Sequence, residues 1–416
     1  MNVAILGYGT VGSAVCEALI QNKELIKARC GKELKPVVAL AITPKPNALV
    51  PVVQDVEEII KREDIDIFVE LMGGVNEPFA IISKLLKQGK AVVSANKAML
   101  AYHRYELEEL AKNAFFGYEA SVAGGIPIIK ILKEGLSANQ ILGIEGILNG
   151  TSNFILSSMN EKNCSFDEAL KQAQNLGYAE ADPSFDIKGI DAAHKLLILA
   201  SLAYGLRHKP EDILIQGIHE ISSEDMYFAR EFDFTIKLLG IARAQNGKVE
   251  LRVHPAMLDK NRLLAKVNGV MNAINIKGDI LENSLYYGAG AGGKATASAV
   301  ISDLMDCVRA RLKTSMLGFE RQISYTLVPQ DEIYTKYYLR LKVEDKIGVL
   351  SKITQLMSEN QISIDSFLQK PKSKVDHSTL FFTSHHTYEK SIQTLLNILE
   401  KQDFIKAKPF MMRIQS

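Results

Sequence analysis

An apolar stretch near the start of the chain runs directly into Gly7-Tyr8-Gly9-Thr10-Val11-Gly12, and no other feature constrains the fold as strongly. Asn2 to Leu6 reads as a short buried strand and Val15 to Ile26 as a helix, so the glycines mark a strand-to-helix turn. In that setting Gly7 permits the tight turn, Gly9 lets the backbone approach a pyrophosphate, and Gly12 allows helix and strand to pack closely. The helix start at Thr10 and Val11 then offers free N–H groups to the anion. A plain structural turn is the alternative, but the pattern does not stand alone. Val37 to Ile42, Ile65 to Leu71 and Ala91 to Ser94 read as further strands, with helical stretches at Val56 to Lys61 and Pro78 to Gln88. Strands alternating with helices predict a parallel, doubly wound α/β sheet of the Rossmann type over residues 1–127.

After Gly124-Gly125-Ile126-Pro127 the character changes. Ile128 to Leu136 looks helical and Gln140 to Leu148 looks like a strand, opening an α+β catalytic and dimerisation domain over 128–320. It contains the helices Ser165 to Leu176 and Ile190 to Tyr204, then mixed strand and helix. A glycine-rich run, Gly288 to Gly293, precedes a helix from Ala295 to Leu312, long enough to pack back onto the first domain. Val328-Pro329-Gln330-Asp331-Glu332 is polar and holds a proline, as a linker does. Beyond it, strands at Tyr337 to Val343, Ile362 to Gln369, Thr379 to Ser384 and Ile405 to Ile414 alternate with helices at Val349 to Asn360 and Tyr388 to Lys401. That order, βαββαβ, is the ferredoxin-like arrangement, expected over 335–416. Lys370, Lys372 and Lys374 around Pro371 read as a solvated loop rather than an anion site.

Charge and composition exclude several classes. The 49 Lys+Arg and 48 Asp+Glu nearly cancel, so there is no field to hold a nucleic-acid backbone. The longest strongly apolar stretch, Leu196 to Ala203, is far below the roughly 20 residues needed to cross a bilayer. No signal-peptide pattern opens the sequence. Cys16, Cys30, Cys164 and Cys307 have neither paired nor zinc-type spacing. A cytoplasmic enzyme is the expectation.

Candidate chemistry concentrates in a few segments. Asp191 and Lys195 lie four apart on the helix Ile190 to Tyr204 and share a face. An exposed ion pair is the ordinary reading of that spacing. This helix, however, has no polar side, so the lysine is desolvated beside a carboxylate, as a proton-transfer group requires. Upstream, Gly177-Tyr178-Ala179-Glu180-Ala181-Asp182-Pro183 places carboxylates in a loop; they either cap and solvate it, or Glu180 binds a substrate ammonium. Ser94-Ala95-Asn96-Lys97 ends a strand at the carboxyl edge of the sheet, making Lys97 either a second site lysine or a surface one. Asn149-Gly150-Thr151-Ser152-Asn153 is either a capped turn or part of a cleft. The second strand ends without a carboxylate, and Lys45 could face a 2′-phosphate, which favours NADP over NAD.

Together these motifs, with the Asp186 to Lys195 segment and Gly288 to Ala299, resemble homoserine dehydrogenase, and residues from about 335 resemble an ACT domain. The resemblance implies interconversion of L-homoserine and L-aspartate 4-semialdehyde by a nicotinamide cofactor, on the route to threonine, isoleucine and methionine. It implies Lys195 as acid/base, Asp191 as its partner and a substrate contact, and Lys97 as a second lysine. Glu180, Asp186, Asn149 and Thr151 would bind substrate. Ser94, Lys97, Gly177, Gly290 and Gly292 would join the first glycine loop and Lys45 in holding the cofactor. A sodium or other monovalent cation would take oxygens of Glu119, Val122, Gly124 and Ile126. A homodimer or a dimer of dimers is implied, with threonine as a possible effector at the ACT turn containing Asp345 and Gly348. On this reading a chain ending near Gln330 stays active and loses its response to threonine. The sequence departs from the family's usual pattern at Ala289, where Arg is common, and at Ala295, where Pro is common.

Overall fold

A computed structural model describes residues 1–309, 315–321, 323–370 and 377–415. Lys372, Lys374, the side chain of Lys370 and the last residues of the helix expected to reach Leu312 lie outside them. The chain forms two compact units: Met1–Ile144 with Asp191–Asp212 and Met271–Thr326, and Glu145–Ile190 with Ile213–Val270 and Leu327–Ser416.

The first unit is built on a six-stranded parallel sheet. Its strands are β1 (Asn2–Leu6), β2 (Lys35–Leu40), β3 (Val52–Val53), β4 (Ile67–Glu70), β5 (Ala91–Ser94) and β6 (Phe116–Gly117). Their order, β3-β2-β1-β4-β5-β6, is doubly wound, with the reversal between β1 and β4. β1 and β4 are buried on both faces, which is why they read as unbroken apolar runs. The first helix begins at Thr10, earlier than its apolar periodicity suggests, and breaks at Asn22 before a second helix, Lys23–Cys30. The short edge strands β3 and β6 carry too few residues to show any period in the sequence. A long helix, Gly293–Arg309, packs Ala297, Val300 and Leu304 into the cluster formed by Val3, Ile5, Val15 and Leu19. The antiparallel hairpin Met271–Gly278 with Glu282–Ala289 completes this unit.

In the second unit a long hairpin, Phe234–Gln245 with Lys248–Asp259, lies alongside capped helices; Ser165 with Glu168 and Ser222 with Asp225 form capping boxes. The C-terminal segment has the βαββαβ order, with Tyr337, Leu339, Ile353, Met357, Ile392 and Leu395 in its own core. Its sheet order is Phe410–Gln415, Tyr334–Glu344, His377–Ser384, Ile364–Lys370. One finding departs from the picture of a regulator hung on a linker. The strand Phe410–Gln415 also pairs in parallel with the hairpin strand Lys248–Asp259, Ala256 facing Arg413 and Leu258 facing Gln415. Main-chain pairing in a fully buried strip therefore makes the C-terminal segment part of the second unit's sheet.

Candidate active site

The glycine turn in the first unit is shaped for a bound phosphate. Gly7 has φ +118°, and a Cβ there would lie 2.7 Å from the Leu71 carbonyl oxygen, so only glycine fits. A Cβ on Gly12 would stand 2.2 Å from the Gly7 oxygen. Gly9 is different: its φ is an ordinary −99°, and nothing lies within 4 Å of a Cβ built on it. Neither strain nor protein packing demands glycine there, and the open space suits a ligand pressed against the backbone. Thr10 and Val11 form the first turn beyond it. The helix Gly293–Arg309 starts at the same place, since a Cβ on Gly293 would sit 3.0 Å from the Thr10 oxygen. Two helix N-termini thus flank one turn, doubling the donors and the favourable dipole for an anion. Gly292 (φ +109°) is open, whereas Gly290 is pressed against the Asn272 side chain. These contacts fit a dinucleotide pyrophosphate. Beyond β2, Ile42 is exposed and Lys45 lies in a surface loop tied to the glycine turn by the Leu49 N–H, which donates to the Tyr8 hydroxyl at 3.0 Å.

The same unit gathers the lysines. Asp191 and Lys195 are 3% and 8% exposed on the helix Ile190–Tyr204. Lys195 Nζ donates to Asp191 Oδ2 at 2.8 Å, and Lys97 Nζ lies 3.0 Å from Asp191 Oδ1. One carboxylate therefore orders two ammonium groups. Lys97 opens the helix Lys97–Leu110, whose N-cap Asn96 accepts the Met99 N–H. Behind it the fully buried Glu70, missed from the sequence, accepts from Ser94 Oγ at 2.5 Å and from the Met72 N–H. Burial pushes Glu70 above the usual carboxylate range. Ser94 is thus occupied in fixing the turn before Lys97. The hint in the sequence was a lone acid closing the apolar strand Ile67–Glu70. His194, on the lysine helix, is pushed down to about 4 by burial and stays neutral near pH 7.

In the second unit three expected motifs come together. Asn149 caps the helix Gly150–Lys162 through the Ser152 N–H, and its Nδ2 donates to Asp186 Oδ1 at 2.7 Å. Thr151 Oγ1 donates to the Tyr178 carbonyl at 2.6 Å, and Ser152 Oγ to that of Asp186. Gly177 takes φ +73° at the bend, and the exposed Glu180 has its carbonyl held by Gln174.

The expected cation ligands lie on one turn of the first unit. The Glu119 carboxylate accepts the N–H groups of Ile129 (2.9 Å) and Lys130 (2.8 Å), while its own N–H donates to Asp303 Oδ2. Burial, then the nearby Asp303, raises Glu119 to about 7; burial raises Asp303 to about 6. Ala123 (φ 56°) and Gly124 (φ 45°) reverse the chain there, and the Ile126 carbonyl accepts the Ile128 N–H. With the carboxylate committed to main-chain N–H groups, the set offers carbonyl oxygens, donors of the kind a hard cation takes. Among the described residues no group of three or more His, Cys, Asp or Glu could hold a metal ion. Asp345 and Gly348 lie in an exposed turn, where Gly348 (φ +87°) starts the helix Val349–Glu359.

Comparison with known proteins agrees in every segment. Residues 7–117 match the family model for the homoserine dehydrogenase NAD-binding domain, 127–305 that for homoserine dehydrogenase, and 337–404 the ACT domain. The chain is 52% identical to a homoserine dehydrogenase of Helicobacter pylori over 100% of this chain and 99% of that one. The structure of a homoserine dehydrogenase from Thiobacillus denitrificans superposes with TM-score 0.94 at 40% identity, covering 100% of this chain and 98% of the other. A hyperthermophilic archaeal homoserine dehydrogenase in complex with NADPH matches at TM-score 0.62 and 28% identity over 77% of this chain and 99% of its own.

Proposed function

The chain belongs to the homoserine dehydrogenase family, NAD(P)-dependent oxidoreductases that interconvert L-homoserine and L-aspartate 4-semialdehyde, and from that premise we propose how its residues divide the work. Bound nicotinamide supplies or accepts the hydride at the substrate's terminal carbon. Lys195 acts as the acid/base: its amine takes the hydroxyl proton as homoserine becomes the aldehyde, and its ammonium returns one in the reverse direction. Asp191 orients that amine and contacts substrate. Lys97 adds a second positive charge, so that loss of one proton leaves the trio neutral overall. The observation that carries this reading is the sharing of the buried Asp191 carboxylate between Lys195 and Lys97. Glu180 binds the substrate ammonium, and Asn149, Thr151 and Asp186 frame the substrate turn.

The cofactor reading is NADP before NAD, supported by Lys45 beyond a carboxylate-free strand end and by the NADPH complex of the archaeal relative. The pyrophosphate rests on Gly7, Gly9, Thr10, Val11 and Gly12, with the open Gly292, at the start of the helix Gly293–Arg309, beside them. A sodium or similar monovalent cation takes carbonyl oxygens of Glu119, Val122, Gly124 and Ile126. The working form is a homodimer or a dimer of dimers in the cytoplasm, with the ACT segment sensing an amino acid, threonine first, near Asp345 and Gly348. Initial rates of homoserine oxidation by the wild type and by Lys195→Met test the central assignment. The variant is expected to bind NADP normally and lose roughly 10² to 10⁴ in kcat, the usual worth of general acid/base catalysis. Near-normal turnover would remove Lys195 from the chemistry.

A further inference from the structure

The hairpin strand Phe234–Gln245 carries one residue at odds with its surroundings: Lys237, 1% exposed. Its ammonium donates to the Val267 carbonyl at 2.5 Å, to Asn268 Oδ1 at 2.9 Å and to Asn153 Oδ1 at 3.2 Å. Three oxygens converging on one point call for three donors and no lone pair, a combination that only a lysine ammonium provides. Burying a cation costs more than burying an apolar side chain of similar length. Stability alone does not favour lysine here.

The acceptors belong to two segments that must be held against each other. Asn153 sits in the first turn of the helix Gly150–Lys162, directly after Asn149 and Thr151, and its Nδ2 also donates to the Val267 carbonyl at 3.1 Å. Val267 and Asn268 open the turn leading to Val270, whose oxygen would stand 2.6 Å from a Cβ on Gly150. The helix start and the 267–270 turn are therefore in contact, with Lys237 at their junction. We propose that Lys237 is a positioning residue for homoserine binding, its ammonium clamping the Asn149–Asn153 turn onto Val267 and Asn268. The proposal rests on the reading of Asn149 and Thr151 as substrate residues.

Burial lowers Lys237 to about 8, against the pull of Glu161, the charged group that bears on it. Glu161 is itself bonded by Asn268 Nδ2 at 3.0 Å. A lysine with a lowered folded-state value keeps its charge below that value and loses it above, so the clamp weakens as pH rises past about 8. At that point the amine turns a lone pair toward a carbonyl oxygen.

The test uses the full-length enzyme and reads the KM for homoserine against pH, with NADP saturating. Wild type is expected to show that KM rising above about pH 8. Lys237→Met should raise it about tenfold at pH 7, one buried charge-assisted contact set being worth roughly that factor, while sparing the KM for NADP and flattening the alkaline rise. Asn153→Asp places a carboxylate on the ammonium and should move the rise to higher pH; it serves equally well should Lys237→Met fold poorly. A wild-type KM and pH profile in Lys237→Met, or an unmoved rise in Asn153→Asp, overturns the clamp. Thr151→Ala and Asn149→Ala separate the underlying reading: normal homoserine KM in both would show that the turn does not bind substrate, whatever Lys237 does.

Discussion

Glu389 and Arg413 form a buried pair, 2% and 3% exposed, joining the last helix to the last strand. The contact is bidentate, Nε to Oε2 at 2.8 Å and Nη2 to Oε1 at 2.5 Å, with Tyr337 Oη and Gln393 Nε2 donating to the same carboxylate. Arg413 Nη1 also donates to Gln216 Oε1 at 2.9 Å. Glu389→Leu leaves the guanidinium buried without its counter-charge, which costs about 3–5 kcal/mol. In a unit of this size each kcal/mol is worth roughly 2–4 °C, so the melting transition should fall by about 10 °C. The double variant Glu389→Leu with Arg413→Met removes both charges and should recover most of that loss. Burial pushes the Glu389 carboxyl up, but Arg413 and the hydrogen bonds outweigh it and hold the group below the usual carboxylate range. Its contribution is therefore full above about pH 4.3 and is lost as pH falls through the lowered value. Thermal denaturation of wild type and the two variants at pH 7 and at pH 3 reads both effects. A double variant no more stable than Glu389→Leu, or a deficit that does not shrink in acid, would refute the argument. The same reasoning reverses the expectation for a chain ending near Gln330. Without Phe410–Gln415 the buried strip Ala256–Leu258 loses its partner strand, and such a chain should be insoluble or inactive rather than merely unregulated.

Three further outcomes are expected. Gly9→Ala should fold, since nothing in the protein lies within 4 Å of the new Cβ, yet raise the dissociation constant of NADP at least tenfold by fluorescence titration; unchanged affinity would move the pyrophosphate elsewhere. Lys45→Ala should raise the KM for NADP several-fold and leave that for NAD alone, and equal effects on both would deny it the 2′-phosphate. Millimolar threonine should slow the full-length enzyme, and Asp345→Ala should blunt that response without changing the uninhibited rate; inhibition untouched by the substitution would place threonine at the homoserine site.

The parallel sheet was legible because both-face burial writes itself as apolar runs and the glycine turn fixes where they lead. The Asp191–Lys195 pair was legible because a helix with no polar side leaves a charged residue no innocent position. What the sequence hid is what long-range contact decides. Glu70 acquires its meaning from Ser94 and Asn96, and Lys237 from a turn some thirty residues away, as the distances between their positions show. The pairing of Phe410–Gln415 with Lys248–Asp259 leaves no local trace, since a strand's alternation does not name its neighbour. Proline and polar residues at 328–332 read as a connection but said nothing of independence; the Val328 N–H donates to the Val249 carbonyl at 2.9 Å.

That parallel pairing also imposes a schedule on synthesis. The strand Lys248–Asp259 can form its hairpin with Phe234–Gln245 at once and take Leu214–Ile215 on part of its other edge, but the Ala256–Leu258 stretch of that edge must wait until the entire ACT segment has been made. During that interval the nascent chain carries an unpaired apolar edge, a template for any passing strand. Closing it joins residues more than a hundred positions apart, the slowest kind of contact to find. Fast elongation or crowding of ribosomes on one message should therefore lower the yield of native enzyme more than any change in the stability of the finished fold.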